Sequence, residues 1–300
     1  MTANRQVSFS GLDALGKPVG TPGVMGVVYS LGGNAYAEGG ARIDTEQTVN
    51  AQGQKIVDGV VTVAPGVTYQ SATALSIKSQ IAKYKSARTS FNSSQLVLLQ
   101  GGPNDFLAFF AKVGAGAFGD PTVAANLPAI KAAADAETLK NITSMAARVN
   151  ELLTAGATHI LYSNMPDLGV TPQFKLPELK STALAGLATA VSEGYNAGVA
   201  KALAQAVADK KVVIFDAATL VKSAIAQPAA FKLSNVDQMA CNSVGSTGVT
   251  ALICNAKTLV APNADVTYLF ADSVHPTVAG HTIWGTEAAK AAMKVEGFGL

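Results

Sequence analysis

Short apolar runs alternate with long helical patterns over most of this 300-residue chain, and that alternation limits the fold more than any other feature. "SQLVLLQGG" (94–102) holds four consecutive apolar residues bounded by turn signals, the mark of a buried strand. "THILYSNMPDLG" (158–169) is a second such strand ending in a Pro/Gly turn, and "VVIFDAATLVKSAIAQ" (212–227) reads as strand, then helix. Helical spacing predicts helices over "VTYQSATALSIKSQIAKYKSA" (67–87), "DAETLKNITSMAARVNELLTAGA" (135–157) and the Ala-rich "STALAGLATAVSEGYNAGVAKALAQAVADKK" (181–211). A last helix is expected from near His275 to about residue 293, whereas residues 1–70 show few helix signals. Near-continuous apolar strands between helices predict an α/β domain with a mainly parallel sheet. Ligands in such sheets bind beyond the carboxyl ends of the strands. No repeat or low-complexity linker interrupts the pattern, so one domain over residues 1–300 is expected, burying roughly three quarters of its unfolded surface.

Composition removes several classes. Net charge is +2 with 14% charged residues, and no Lys/Arg stripe with interleaved aromatics exists, so no nucleic-acid partner is expected. No unbroken apolar stretch of 18 residues occurs, so no membrane span is expected. Two cysteines, Cys241 and Cys254, flank "CNSVGSTGVTALIC". They read as a disulfide worth roughly 3 kcal/mol, formed in an oxidising compartment; the alternative is two free thiols. Their spacing fits no zinc motif. The N-terminus, "MTANRQVSFSGLDALGK", has no apolar signal segment. Either a signal was removed or the chain begins late.

Three short stretches hold residues suited to chemistry. In "QLVLLQGGPNDFL" a strand ends, two glycines turn the chain, and Asn104 and Asp105 open the next helix. An amide there suits an oxyanion donor, although Asn and Asp are also ordinary helix caps. In "GGNAYAEGGARI" (32–43), paired glycines allow φ > 0 and close backbone approach. The Gly40 N–H then reads as an oxyanion donor, and an ordinary glycine turn is the alternative. In "DSVHP", Asp272 and His275 stand three apart near a helix start, where the carboxylate can fix the tautomer of the imidazole and stabilise its protonated form. The remaining two of the three histidines, His159 and His281, read as structural. No metal site is assigned, because i,i+6 does not put His275 and His281 on one helix face.

"GGARI", "GGPNDF", "SNMPDLGVTP" and "DSVHPTVAGH" occur in that order, and together they resemble the GDSL, or SGNH, esterase/lipase family, in particular its secreted bacterial members. The resemblance spans about residues 30–292. It implies a three-layer α/β/α sandwich with a five-stranded parallel, flavodoxin-like sheet, and a serine-type hydrolase of carboxylic esters that needs no metal or organic cofactor. It matches Gly40 and Asn104 to the oxyanion hole and Asp272 and His275 to the acid and base. Its partner is a small-molecule or lipid ester, and its place is outside the cytoplasm. The sequence departs from the family at the nucleophile, for it contains no Gly-Asp-Ser-Leu block. Ser10, three residues before Asp13 in "FSGLDALG", is the nearest substitute. The preferred expectation is that the first, central strand and its serine precede Met1, leaving this chain inactive and its sheet with an open slot, or with residues 4–10 filling it. No barrel-like segment follows residue 293, as an autotransporter passenger would require in its parent. Two rival readings remain: an SGNH-fold binding module without the nucleophile, and a flavodoxin-like cofactor binder, which a colourless protein would disfavour.

Overall fold

The computed structural model describes residues 5–8, 27–30, 34–46, 56–57, 60–64, 67–70, 74–175, 182–241, 251 and 254–294. The chain forms two compact units, residues 1–90 and 91–300.

In the first unit, β1 (Arg5–Ser8) pairs antiparallel with β2 (Val27–Ser30). Strands β3 (Ile56–Val57), β4 (Val60–Ala64) and β5 (Val67–Gln70) form an antiparallel meander in that order. Helix α1 follows at Ile77–Ala87. The helix expected over 67–87 is therefore strand in its first part. Val67, Thr68 and Tyr69 are β-branched or aromatic and pair well across a ladder. The helix begins where Ser76 caps it, its Oγ accepting from the Ser79 N–H at 3.1 Å. Ile77, Ile81 and Tyr84 then bury one stripe. Ser10 and Asp13 lie outside the described residues.

The second unit is built on the three strands the apolar runs announce. These are β6 (Leu96–Leu99), β7 (His159–Ser163) and β8 (Val212–Phe215), parallel and in that order. Helices α2 (Pro103–Gly114) and α3 (Leu127–Thr154) lie between β6 and β7 in sequence. Helices α4 (Pro172–Lys175), α5 (Ala185–Ala202) and α6 (Ala204–Ala208) lie between β7 and β8. After β8 come α7 (Ala217–Ala226), β9 (Asn235–Met239), α8 (Ala264–Thr267), β10 (Tyr268–Phe270) and α9 (Val278–Met293). Strands β9 and β10 pair in parallel.

Strand periodicity sorts the side chains into two faces. Leu96, Leu161, Val213 and Phe215 pack with Trp284, Ala288 and Ala292 of α9. On the other face, the Tyr162 hydroxyl meets that of Tyr195 on α5. Helices thus cover both faces, the α/β/α arrangement expected from the sequence. Among the described residues β6 has one strand neighbour, β7, and Leu98 on it is 52% exposed.

Candidate active site

The segment after β10 is where the chain brings two reactive side chains together. The Ala271 N–H donates to the His275 carbonyl at 2.8 Å, and the Thr277 N–H donates to the Leu269 carbonyl at 3.0 Å, so residues 271–276 double back as a tight loop. Thr277, not a residue nearer His275, caps α9 by accepting from the Gly280 N–H. Asp272 and His275 are therefore not on one helix face, as their spacing suggests. They form an Asx-type turn ahead of the helix. Asp272 Oδ1 accepts from the N–H groups of Val274 (2.9 Å) and His275 (2.7 Å), and Oδ2 accepts from His275 Nδ1 at 2.9 Å.

The exposures of the two differ sharply. Asp272 is wholly buried, while the His275 side chain is 49% exposed. Burial alone would raise the Asp272 pKa. The bonds from the His275 ring and from the His275 and Val274 N–H groups, with the charge of His275, outweigh it and hold the carboxyl below its ordinary value. The bond to Asp272 raises the His275 pKa, with burial opposing. An ionised carboxylate only accepts, so Nδ1 must carry the proton, and Nε2 of the neutral ring is the free base. Burial and the charge of His275 lower the pKa of His281, which places both imidazoles in one electrostatic neighbourhood. No cluster of three or more His, Cys, Asp or Glu suited to a metal exists among the described residues.

Asn104 sits just past the carboxyl end of β6. The cap of α2 is Gly102, with Pro103 at the first helical position, so Asn104 is a second-position residue and the capping explanation does not apply to it. Gly102 has φ +112°, and a Cβ there would stand 2.9 Å from the Tyr195 ring. The Tyr195 hydroxyl donates to the Gly101 carbonyl at 3.0 Å and receives a long bond from Tyr162 at 3.4 Å. Burial pushes the Tyr162 hydroxyl up to about 12, and burial, then Tyr162 and Asp105, push Tyr195 well above its usual value, so both remain protonated donors.

The loops after β6 and β10 are both tied to the segment that follows β7. Its Leu168 N–H donates to Ser192 Oγ of α5, the helix that carries Tyr195. At its far end the Gln173 N–H donates to the Ser273 carbonyl at 2.8 Å. Sequence reasoning missed these ties, which are made by main-chain groups and by a helix that reads only as Ala-rich.

Gly40 belongs to the first unit. It has φ +84° in the turn closed by the Ala41 N–H on the Glu38 carbonyl, a conformation that favours glycine. Its N–H has no acceptor among the described residues. The turn is fastened to the start of α1, where Glu38 accepts from the Leu75 N–H and Glu46 from Ser76 and Ser79.

Cys241 and Cys254 are joined in a disulfide, as the sequence suggests. No helix among the described residues is long and apolar enough to cross a membrane.

A parallel sheet covered by helices on both faces, with an amide past the end of β6 and an Asp–His pair past the end of β10, defines an α/β/α class of fold. The chain belongs to one family of that class: the GDSL-like lipase/acylhydrolase profile matches residues 11–288, across both units. That is a family of ester-bond hydrolases. The match starts one position after Ser10. No curated protein sequence matches the chain.

Proposed function

We propose that this chain carries the base, the acid and the oxyanion donors of a serine-type hydrolase of carboxylic esters, working as one hydrolase domain outside the reducing cytoplasm. The observation that carries the reading is the 2.9 Å contact between His275 Nδ1 and a fully buried Asp272 carboxylate, with the other edge of the ring open. In the reaction, His275 Nε2 takes the proton of the attacking hydroxyl and later gives it to the leaving alcohol. Asp272 keeps the ring in that tautomer and stabilises its charged form. The Asn104 amide receives the tetrahedral oxyanion, and the family resemblance assigns the Gly40 N–H the same role. The disulfide supports the compartment, and the family match across both units supports a single working domain.

The sequence has no Gly-Asp-Ser-Leu block. We infer that the chain by itself lacks the family's nucleophile and turns over esters only slowly, with His275 as base for an attacking water and the donors holding the oxyanion. Two measurements test this. A fluorophosphonate probe followed by peptide mass spectrometry is expected to label no serine, and labelling of Ser10 would identify it as the nucleophile and overturn the inference. A chromogenic short-chain ester is expected to be hydrolysed slowly by the wild type and more slowly by His275→Gln. Equal rates would remove His275 from the site. The missing block also favours a second reading, a binding module that keeps the cleft; it predicts no hydrolysis above the buffer rate together with saturable binding of the ester.

A further inference from the structure

The residues around the Cys241–Cys254 bridge do more than close a loop. The Cys241 N–H donates to the Ala271 carbonyl at 3.0 Å, gripping the peptide just before Asp272. Across the bridge, the Cys254 N–H donates to the Ala251 carbonyl at 3.2 Å, and the Ala251 N–H donates to Asp272 Oδ2 at 2.7 Å. The path runs from the backbone of Ala271 through the disulfide and back onto the carboxylate. It ends on the oxygen that also receives His275 Nδ1. The other carboxylate oxygen is held by donors of its own loop, Val274 and His275. Ala251 is thus a donor from a distant segment of the chain, and Cys254 of the bridge lies three residues from it.

We propose that the Cys241–Cys254 disulfide and the Ala251 N–H are a positioning device for Asp272, so that the acid–base pair is fully aligned only when the bridge is oxidised. The proposal rests on the hydrolase reading for its significance, but its geometry does not. The bridge restrains where Ala251 sits, and Ala251 helps to set the plane of the carboxylate about its last bond. Without that donor the carboxylate can turn so that Nδ1 keeps its 3.1 Å contact with Oδ1 but loses the shorter one with Oδ2, and the imidazole loses part of the interaction that favours its protonated form. Reduction is a two-electron step. A dithiol reductant becomes a cyclic disulfide while Cys241 and Cys254 become two thiols.

The ionisable groups around the imidazole among the described residues are Asp272 on its own loop and His281 on α9. The test is therefore a histidine titration followed by nitrogen NMR, with His275→Gln assigning the signal. Three samples are compared with the oxidised wild type: the protein reduced with dithiothreitol, Ala251→Pro with the bridge intact, and Ala251→Ser, which keeps the N–H. Reduction and Ala251→Pro are each expected to lower the proton affinity of His275 by about threefold or more, and Ala251→Ser to leave it unchanged. Far-UV circular dichroism checks folding, and Ala251→Pro supplies the answer if the reduced protein unfolds. An unchanged His275 midpoint in folded Ala251→Pro overturns the proposal. So does a rise, which would mean that Asp272 keeps its place and has only lost a competing donor. Failure of the hydrolase reading would appear instead as absent turnover by the oxidised wild type, with the titration still interpretable.

Discussion

Replacing Asp272 by Asn changes one atom, and the structure fixes what that atom does. The carboxylate is wholly buried and accepts from the N–H groups of Val274, His275 and Ala251 and from His275 Nδ1. The less costly amide rotamer keeps oxygen toward Val274 and His275 and puts the NH₂ where Oδ2 was. There it faces the Ala251 N–H donor to donor. An orphaned buried N–H costs about 1–3 kcal/mol, and two remaining bonds fall from charged to neutral strength at about 1 kcal/mol each. A neutral amide is easier to bury than a carboxylate, which offsets part of this. The net loss is about 2–4 kcal/mol at pH 6. The sign of its pH dependence is fixed by His275, whose folded pKa is raised. Its contribution is complete below the unfolded value of about 6.5 and is lost as pH rises through the higher folded value. Asp272, whose folded pKa is lowered, contributes above about 3.9 and loses that only as pH falls, so it is constant over the alkaline window. The wild-type advantage should therefore shrink between pH 6 and pH 9. With the ring half exposed, the shrinkage is about 0.5–1 kcal/mol. Urea unfolding of both proteins at the two pH values measures it. A gap that is equal at both, or below about 1 kcal/mol at pH 6, refutes the argument that the pair interacts as drawn.

Asn104→Ala should lower residual ester turnover by about 10²–10³ while leaving the thermal midpoint near that of the wild type; a global loss of stability would make Asn104 structural. Gly102→Ala forces an L side chain to positive φ and into the Tyr195 ring, and should cost about 2–5 kcal/mol in urea unfolding, with a loss below about 0.5 kcal/mol excluding the close approach. Ser76→Ala removes the cap of α1 and a hydroxyl bound to Glu46, and should cost about 1–2 kcal/mol by the same measurement.

What could be read in advance follows physical lines. The strands β6, β7 and β8 were legible as short apolar runs between turn signals; β7 and β8 are covered by helices, whereas no residue of β6 is fully buried, so the run there announced a strand but not its burial. Strands β9 and β10 were not. Asn235, Asp237 and Gln238 give "NVDQM" no apolar run, and "YLF" is too short to show a period. Val67–Gln70 was misread because Val67, Ala74, Ile77 and Ile81, spaced seven, three and four apart, also fit helical spacing; Ser76, which caps the helix, was the better boundary signal. The Asp272–His275 contact was legible because a carboxylate three residues before an imidazole can reach it in several conformations. The conformation itself, an Asx turn ahead of the helix, was not. Pro276 and Thr277 move the helix start downstream.

The candidate residues are each held by groups that lie outside the motifs. Tyr195 holds Gly101, and the space beside its ring admits only glycine at 102, which sets the turn leading to Asn104. Glu38 and Glu46 fasten the Gly40 turn to the start of α1. A backbone N–H at Ala251 and a backbone carbonyl at Ala271 frame Asp272. A motif records the aimed side chains and leaves the aiming groups silent, because an amide N–H is the same under almost any letter. The Asp–His motif therefore does not say how well its pair is held. In this chain that depends on residues 241, 251 and 254, which belong to none of the family's motifs and of which Ala251 alone donates to the carboxylate.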